Sequence, residues 1–210
     1  MRAYQSICAA LAVLAMVSVT VPAAGARQCL SPSPTTLSGK KSYAPIEVRD
    51  LTRDEQQRVE QLLKSLDGDW HGTGGTFFCR SISDPDDVES TSATIRATAQ
   101  VDYYGNFSMT ADLTDHAANT SYQRTVRLYL DDHRLRIDHD TGAGDVQLIE
   151  ITDHTIAFLY RRVNPTGQGS GSTRSEYFFT LHREGDRLTI EQNIYVQAKL
   201  SSGYRWVLQR

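Results

Sequence analysis

The sequence predicts an all-β protein, an antiparallel up-and-down barrel of about ten strands preceded by one short α-helix. Three observations lead there. From residue 69 onward, apolar and polar residues alternate in short runs. Turn-forming residues interrupt those runs at roughly the 8–12-residue spacing of a sandwich or barrel. Nearly every joint is short enough for a hairpin, so successive strands run antiparallel, and a long meander removes its exposed edges by closing on itself.

Residues 1–26 read as an export signal. Arg2 supplies the cation, Ile7 to Val21 a largely apolar run of about 15 residues, and Ala24 and Ala26 the small residues of an A-x-A cleavage site. The run is short for a bilayer span of about 20 residues, so no stable membrane insertion is expected. Arg27 and Gln28 stand before Cys29, where lipoprotein processing would need small residues. Losing 26 of 210 residues leaves 184, the size of one domain. The formal charge of −3 becomes −4 when Arg2 leaves, which argues against nucleic acid as a partner. An alanine-rich signal of this kind suggests a periplasmic or secreted location. Cys8 departs with the signal, so Cys29 and Cys79 are left to form one disulfide, in keeping with an oxidising compartment.

Residues 27–51 form an extended tail with Pro32, Pro34 and Pro45. A helix follows over 52–66. Thr52 and Glu55 make a capping box, and Val59, Leu62, Leu63 and Leu66 recur at i, i+3, i+4 and i+7. The remainder, 67–210, carries the strands, expected near 69–81, 90–103, 106–114, 121–130, 133–138, 144–152, 155–163, 173–183, 187–199 and 203–209. The turns fall at Tyr104-Gly105-Asn106, Asp131-Asp132, Asp153-His154, Glu184-Gly185-Asp186 and Ser201-Ser202-Gly203. Asn164 to Ser172, rich in Gly and Ser, reads as a flexible loop.

The opening of the first strand, Gly68-Asp69-Trp70-His71-Gly72-Thr73-Gly74, reads G-x-W-x-G-x-G. This resembles the first-strand signature of the calycin superfamily: lipocalins, fatty-acid-binding proteins and, above all, nitrobindin-like barrels. The resemblance implies a barrel whose first-strand Trp packs against a basic residue of the last strand. Here Trp70 would meet Arg205 or Arg210. It also implies an interior cavity for a small apolar or amphipathic molecule. Ten strands favour the fatty-acid-binding or nitrobindin type over eight-stranded lipocalins.

Alternation then nominates inward-facing side chains. Tyr122 and Arg124 share a face with Val126 and Leu128; Arg162 shares one with Ile156, Phe158 and Tyr160; Glu150 shares one with Val146 and Leu148. On 173–183 two faces compete, Tyr177 with Phe179 and Leu181, or Phe178 with Glu176 and His182. A guanidinium on an apolar wall suits a carboxylate or phosphate, so Arg124, Tyr160 and Arg162 are the candidate ligand-binding residues. Each Arg also lies near a strand end, from which it can reach solvent.

Other chemistries find less support. The haem that the nitrobindin resemblance brings in takes an axial His from the last strand, and residues 203–210 contain none, so no cofactor is expected. No metal site is expected either. Asp138-His139-Asp140-Thr141-Gly142-Ala143-Gly144-Asp145 lacks the EF-hand order and suits a hairpin, and the two mature cysteines lack CxxC spacing. No G-x-S-x-G or H-E-x-x-H occurs, and no catalytic residue is nominated. Asn106-Phe107-Ser108 and Asn119-Thr120-Ser121 match the glycosylation pattern, which matters only on a eukaryotic secretory route. The expectation is an exported barrel binding or carrying a fatty-acid-like ligand. Its alternatives are a closed barrel serving as an envelope structural or interaction module, and, less favoured, a cavity enzyme or haem binder.

Overall fold

A computed structural model of the chain describes residues 29–37, 46–139, 142–165 and 172–210. The expected signal sequence and cleavage site, Asp140, Thr141 and most of the expected Asn164–Ser172 loop lie outside them. Two helices come first, α1 (Pro34–Leu37) and α2 (Arg53–Ser65). Eleven strands follow: β1 (Gly68–Cys79), β2 (Val88–Val101), β3 (Phe107–Asp115), β4 (Thr120–Asp131), β5 (Arg134–His139), β6 (Gly142–Asp145), β7 (Gln147–Ile151), β8 (Thr155–Pro165), β9 (Ser172–Glu184), β10 (Arg187–Val196) and β11 (Lys199–Gln209). They form one antiparallel sheet curled into a nearly closed barrel.

Each strand pairs with its sequence neighbour, with two departures. β1 pairs with β11 as well as β2, from His71 opposite Gln209 to Phe78 opposite Ser202. β6 and β7 do not pair with each other; β6 bonds β5, and β7 bonds β8. The seam therefore lies within what the sequence predicts as one strand, 144–152. Val146, buried in the core, is the single residue at which that run leaves one edge of the sheet for the other. This division accounts for eleven strands where about ten are expected. A bulge between Leu148 and Glu150 follows at once, so Glu150 is exposed rather than sharing the inner face.

The turns are set locally, with two displacements. Asp132 and His133 both have positive φ (47° and 62°), which moves that turn one residue past its expected place. The last hairpin turns at Gln197-Ala198 (φ 50° and 65°), not at Ser201-Ser202-Gly203. Gly203 is needed inside the strand: a Cβ there would come within 2.7 Å of the Phe77 ring. Glycine is also obligatory at Gly72, where a Cβ would lie 2.1 Å from the Val207 carbonyl oxygen of β11.

Helix α2 covers one end of the barrel. Its Val59, Leu62 and Leu63 join Leu51 and Leu66 in the same core as the inward side chains of the strands. The start is fixed by the Thr52–Glu55 capping box. Arg49 donates to both Glu55 oxygens, and this bond, with the Thr52 amide, holds the Glu55 carboxyl down from 4.5 to about 2 against the opposing effect of burial. The other helix terminus points its carbonyls at three donors. Trp70 Nε1 donates to Leu66 at 2.7 Å, Arg183 donates to Ser65 at 2.8 Å, and Arg210 donates to Ser65 at 2.9 Å and to Asp67. The Arg210 guanidinium also lies 4.9 Å from the centre of the Trp70 ring.

The tail is tied to the opposite end. Cys29 and Cys79 are joined, with Cα atoms 5.7 Å apart. Leu30 donates to Leu200, Leu200 to Ser31, and Ser33 to Ala198, and Pro32 bridges Lys199. The tail thus occupies the β11 edge where β1 has ended.

Three outcomes are expected. Arg210→Ala lowers unfolding free energy by about 2 kcal/mol in urea titrations, from the lost cation–π contact and helix-end bonds, and Arg205→Ala lowers it less. Cys79→Ser lowers it by about 3 kcal/mol, read in the same way, by freeing a loop from its closure. Glu55 has a depressed carboxyl, so its contribution is complete above pH 4.5 and disappears as pH falls through about 2. In Glu55→Gln the urea midpoint should change less across that interval than in the parent.

Candidate functional site

Strand alternation assigns one face of every strand to the barrel bore. Trp70, Ile95, Met109, Val126, Phe179 and Trp206 are all buried there. Along the bore, rings from β8, β9 and β11 pack against one another. Phe158 stacks on Phe179 (5.0 Å between centres), Tyr160 on Tyr177 (4.6 Å, planes 9° apart), and Tyr204 on Trp206 (5.0 Å). Gly74 is what lets Trp206 in: a Cβ there would come within 2.7 Å of its Cδ1.

Toward the end opposite helix α2 the lining becomes mixed. Tyr122 and Phe78 belong to the inward register yet are 37% and 49% exposed, so the rim on this side meets solvent. Just inside them Arg124, half-buried, has its guanidinium 4.9 Å from the Tyr204 ring centre and 5.6 Å from that of Tyr122. β4 and β11 are four strands apart in the sheet, so this stack spans the bore. Both rings lie within cation–π distance of the guanidinium, and its N–H groups form no hydrogen bond to a described residue. No carboxylate among the described residues pairs with it. On the same β11 wall, Trp206 Nε1 is buried without an acceptor. On the wall formed by β8 and β10, Gln192 Nε2 donates to the Tyr160 hydroxyl at 2.9 Å, both residues being buried.

The candidate residues therefore separate. Arg124 and Tyr160 both face the bore, on β4 and β8, and each is locked by a ring contact. Arg162, two residues beyond Tyr160 toward the rim, is half-buried, opposite Ser175, and forms no ion pair with a described residue. Trp70 meets Arg210; alternation puts Arg205 on the outer face, between Gly75 and Glu191 of the flanking strands. Of the two competing faces on β9, Tyr177, Phe179 and Leu181 point inward. Glu176 points the other way and forms an ion pair with Arg161 at 2.6 Å, its side chain only 2% exposed. His71 is exposed, and so is His182, whose Nδ1 lies 2.8 Å from the Thr155 hydroxyl. Asp138 and Asp145 of the turn considered for a cation are engaged by Arg127 and Arg136.

Sequence reasoning missed the partners of Arg124. Tyr122 was legible as a same-face neighbour two residues away, whereas Tyr204 and Gln192 become neighbours only through barrel closure. Arg161–Glu176 was equally hidden, because it requires the β8–β9 register.

No family model matches the chain, and no curated protein matches it. Among solved structures, it is similar to a protein of unknown function from the DUF3598 family of Nostoc punctiforme, at 14% identity and a TM-score of 0.44. The similarity covers 80% of this chain and 52% of that one, so the chain spans about half that protein's length.

Proposed function

We propose that this chain is an exported, calycin-like binding protein that takes a small acidic amphiphile, of the fatty-acid kind, into the end of the barrel opposite helix α2. The observation that carries this reading is Arg124, a cation in contact with the Tyr122 and Tyr204 rings on the inward register, with no carboxylate among the described residues paired to it. Ring contacts keep the guanidinium in place without using its N–H donors, and a carboxylate is the ligand group that best matches two parallel donors. The buried, unpaired indole N–H of Trp206 adds a further donor on that wall. The exposed faces of Phe78 and Tyr122 offer apolar surface at the entrance. Export is supported by the N-terminal sequence and by the Cys29–Cys79 bond, which suits an oxidising compartment.

A second reading is a closed barrel that acts through its outside, as a structural or interaction module. The stacked rings favour it, since they fill part of the bore. In the first reading the ligand's apolar part lies toward the entrance and only its head group reaches Arg124.

Palmitate separates the two. Titrated into the protein and followed by tryptophan fluorescence, it should bind, and Arg124→Gln should weaken it by about tenfold or more, the value of a charge-assisted hydrogen bond. Hexadecanol should bind parent and variant alike. Equal palmitate affinity in both proteins removes Arg124 from the site, and no binding at all favours the closed barrel.

A further inference from the structure

The outer face of the same barrel carries a separate feature. Two depressions of about 370 and 410 Å³ lie on it, the first over Asp69, His71, Arg96 and Asp112, the second over Gln100, Ser108, Arg127 and Tyr129. On β2, Arg96, Thr98 and Gln100 follow one another on the outward register, and Asp112, Thr110 and Ser108 stand opposite them on β3. The depressions are therefore consecutive parts of one groove. From Arg96 to Asp102 it runs roughly 20 Å at the rise of an extended strand.

The groove ends at a rigid aromatic tip. In the β2–β3 turn, the Asp102 carboxylate accepts from the Tyr104 and Asn106 amides, each at 2.9 Å, and from Asn106 Nδ2 at 2.8 Å. This presents Tyr103 and Tyr104 to solvent, 97% and 85% exposed and in edge-to-face contact at 5.6 Å. Two large rings held in water on an ordered turn, beside a polar channel, are surface awaiting a ligand.

We propose that this groove binds an uncharged oligosaccharide, with the Tyr103–Tyr104 tip as its stacking platform. The lining selects that chemistry over others. β2 and β3 are each bonded on both sides, so no strand edge is left for an extended peptide to pair with. Arg96 stands among Asp69 and Asp112, and Arg127 is paired with Asp138 at 3.4 Å, so no one-signed field attracts a nucleic acid or another polyanion. What remains is a dense set of groups that exchange hydrogen bonds with hydroxyls. Asp69 spends one oxygen on Thr98 and Asp112 one on Gln123, while Arg96 and His71 have no hydrogen-bond or ion-pair partner among the described residues. The site is independent of the bore: its side chains point away from Arg124.

The full chain, titrated with cellotetraose, maltotetraose, chitotetraose and, separately, dextran sulfate while backbone amide shifts are recorded, decides the matter. At least one uncharged tetrasaccharide should move amides of residues 96–112. The double variant Tyr103→Ala/Tyr104→Ala and the single variant Arg96→Ala should each weaken it by about fivefold to tenfold, the scale of one stacked ring or one good polar contact. All three side chains are exposed, so amide spectra of the free variants should keep the parent's dispersion, and palmitate titrations should be unchanged. The proposal is overturned if none of the three sugars moves those amides, if the variants bind as the parent does, or if only dextran sulfate binds and high salt releases it.

Discussion

The barrel depends most on where its last residue sits. Arg210 lies over the Trp70 ring and donates to carbonyls at the end of helix α2, so one guanidinium joins the first strand, the last strand and the covering helix. Each part is modest alone. A cation over an indole is worth about 0.5–2 kcal/mol and a cation at a helix C-terminus about 0.3–1 kcal/mol. Their combined effect is larger because of what they constrain. β1–β11 pairing is the longest-range contact of the sheet, and its loop-closure cost falls on the whole chain between. Fixing both strand ends against the helix puts Trp70 and Trp206 into the bore, and it sets the register in which Gly72 passes under the Val207 carbonyl and Gly74 under the Trp206 ring.

The parts legible in the sequence are those made by neighbours in the chain. The capping box at Thr52 and Glu55, the stripe from Val59 to Leu66, the alternation along each strand and the turns at Gly105, Asp153 and Gly185 are local physics, and the elements form there. Where reading failed, a distant residue decided the outcome. The final turn lies at Gln197–Ala198, and Gly203 is instead a strand residue whose missing side chain makes room for the Gln192 carbonyl and for Phe77, over a hundred residues earlier. The strand at 144–152 divides at Val146 because both edges of the sheet must be served by the same run. For the candidate site, alternation found Arg124 and Tyr160, but the ring that clamps Arg124 comes from β11, and no periodicity in β4 points to it.

The outer wall of β8 and β9 follows a different logic. Arg161 and Glu176 are cross-strand partners, Glu176 buried and Arg161 partly so, with Arg161 Nη1 and Glu176 Oε2 left without hydrogen bonds among the described residues. Two charges taken from water and only partly satisfied contribute little net stability. Their effect is on register. A slip of one residue would turn both charges to the bore, among Phe158, Tyr160, Tyr177 and Phe179, where neither would find a partner. The pair penalises the competing alignment of two strands that carry the aromatic wall, and it does so next to the point where the sheet is left unclosed.

That seam gives the two faces of the barrel unequal rigidity. The β1–β4 side is fully bonded, anchored by the disulfide at β1 and by long, uninterrupted ladders, and it bears the outer groove. The β6–β7 side has two short strands, a bulge against β8 and an edge without a ladder. A binding surface made from side chains on one fixed sheet needs the first kind of wall, because its donors must hold their spacing against solvent. Phe78 and Tyr122 themselves stand on the first wall, so in the proposed carrier any widening of the bore falls to the second, where no continuous ladder resists it. The break in the ladder at Val146 thus lies on the part of the barrel away from the β1–β11 closure.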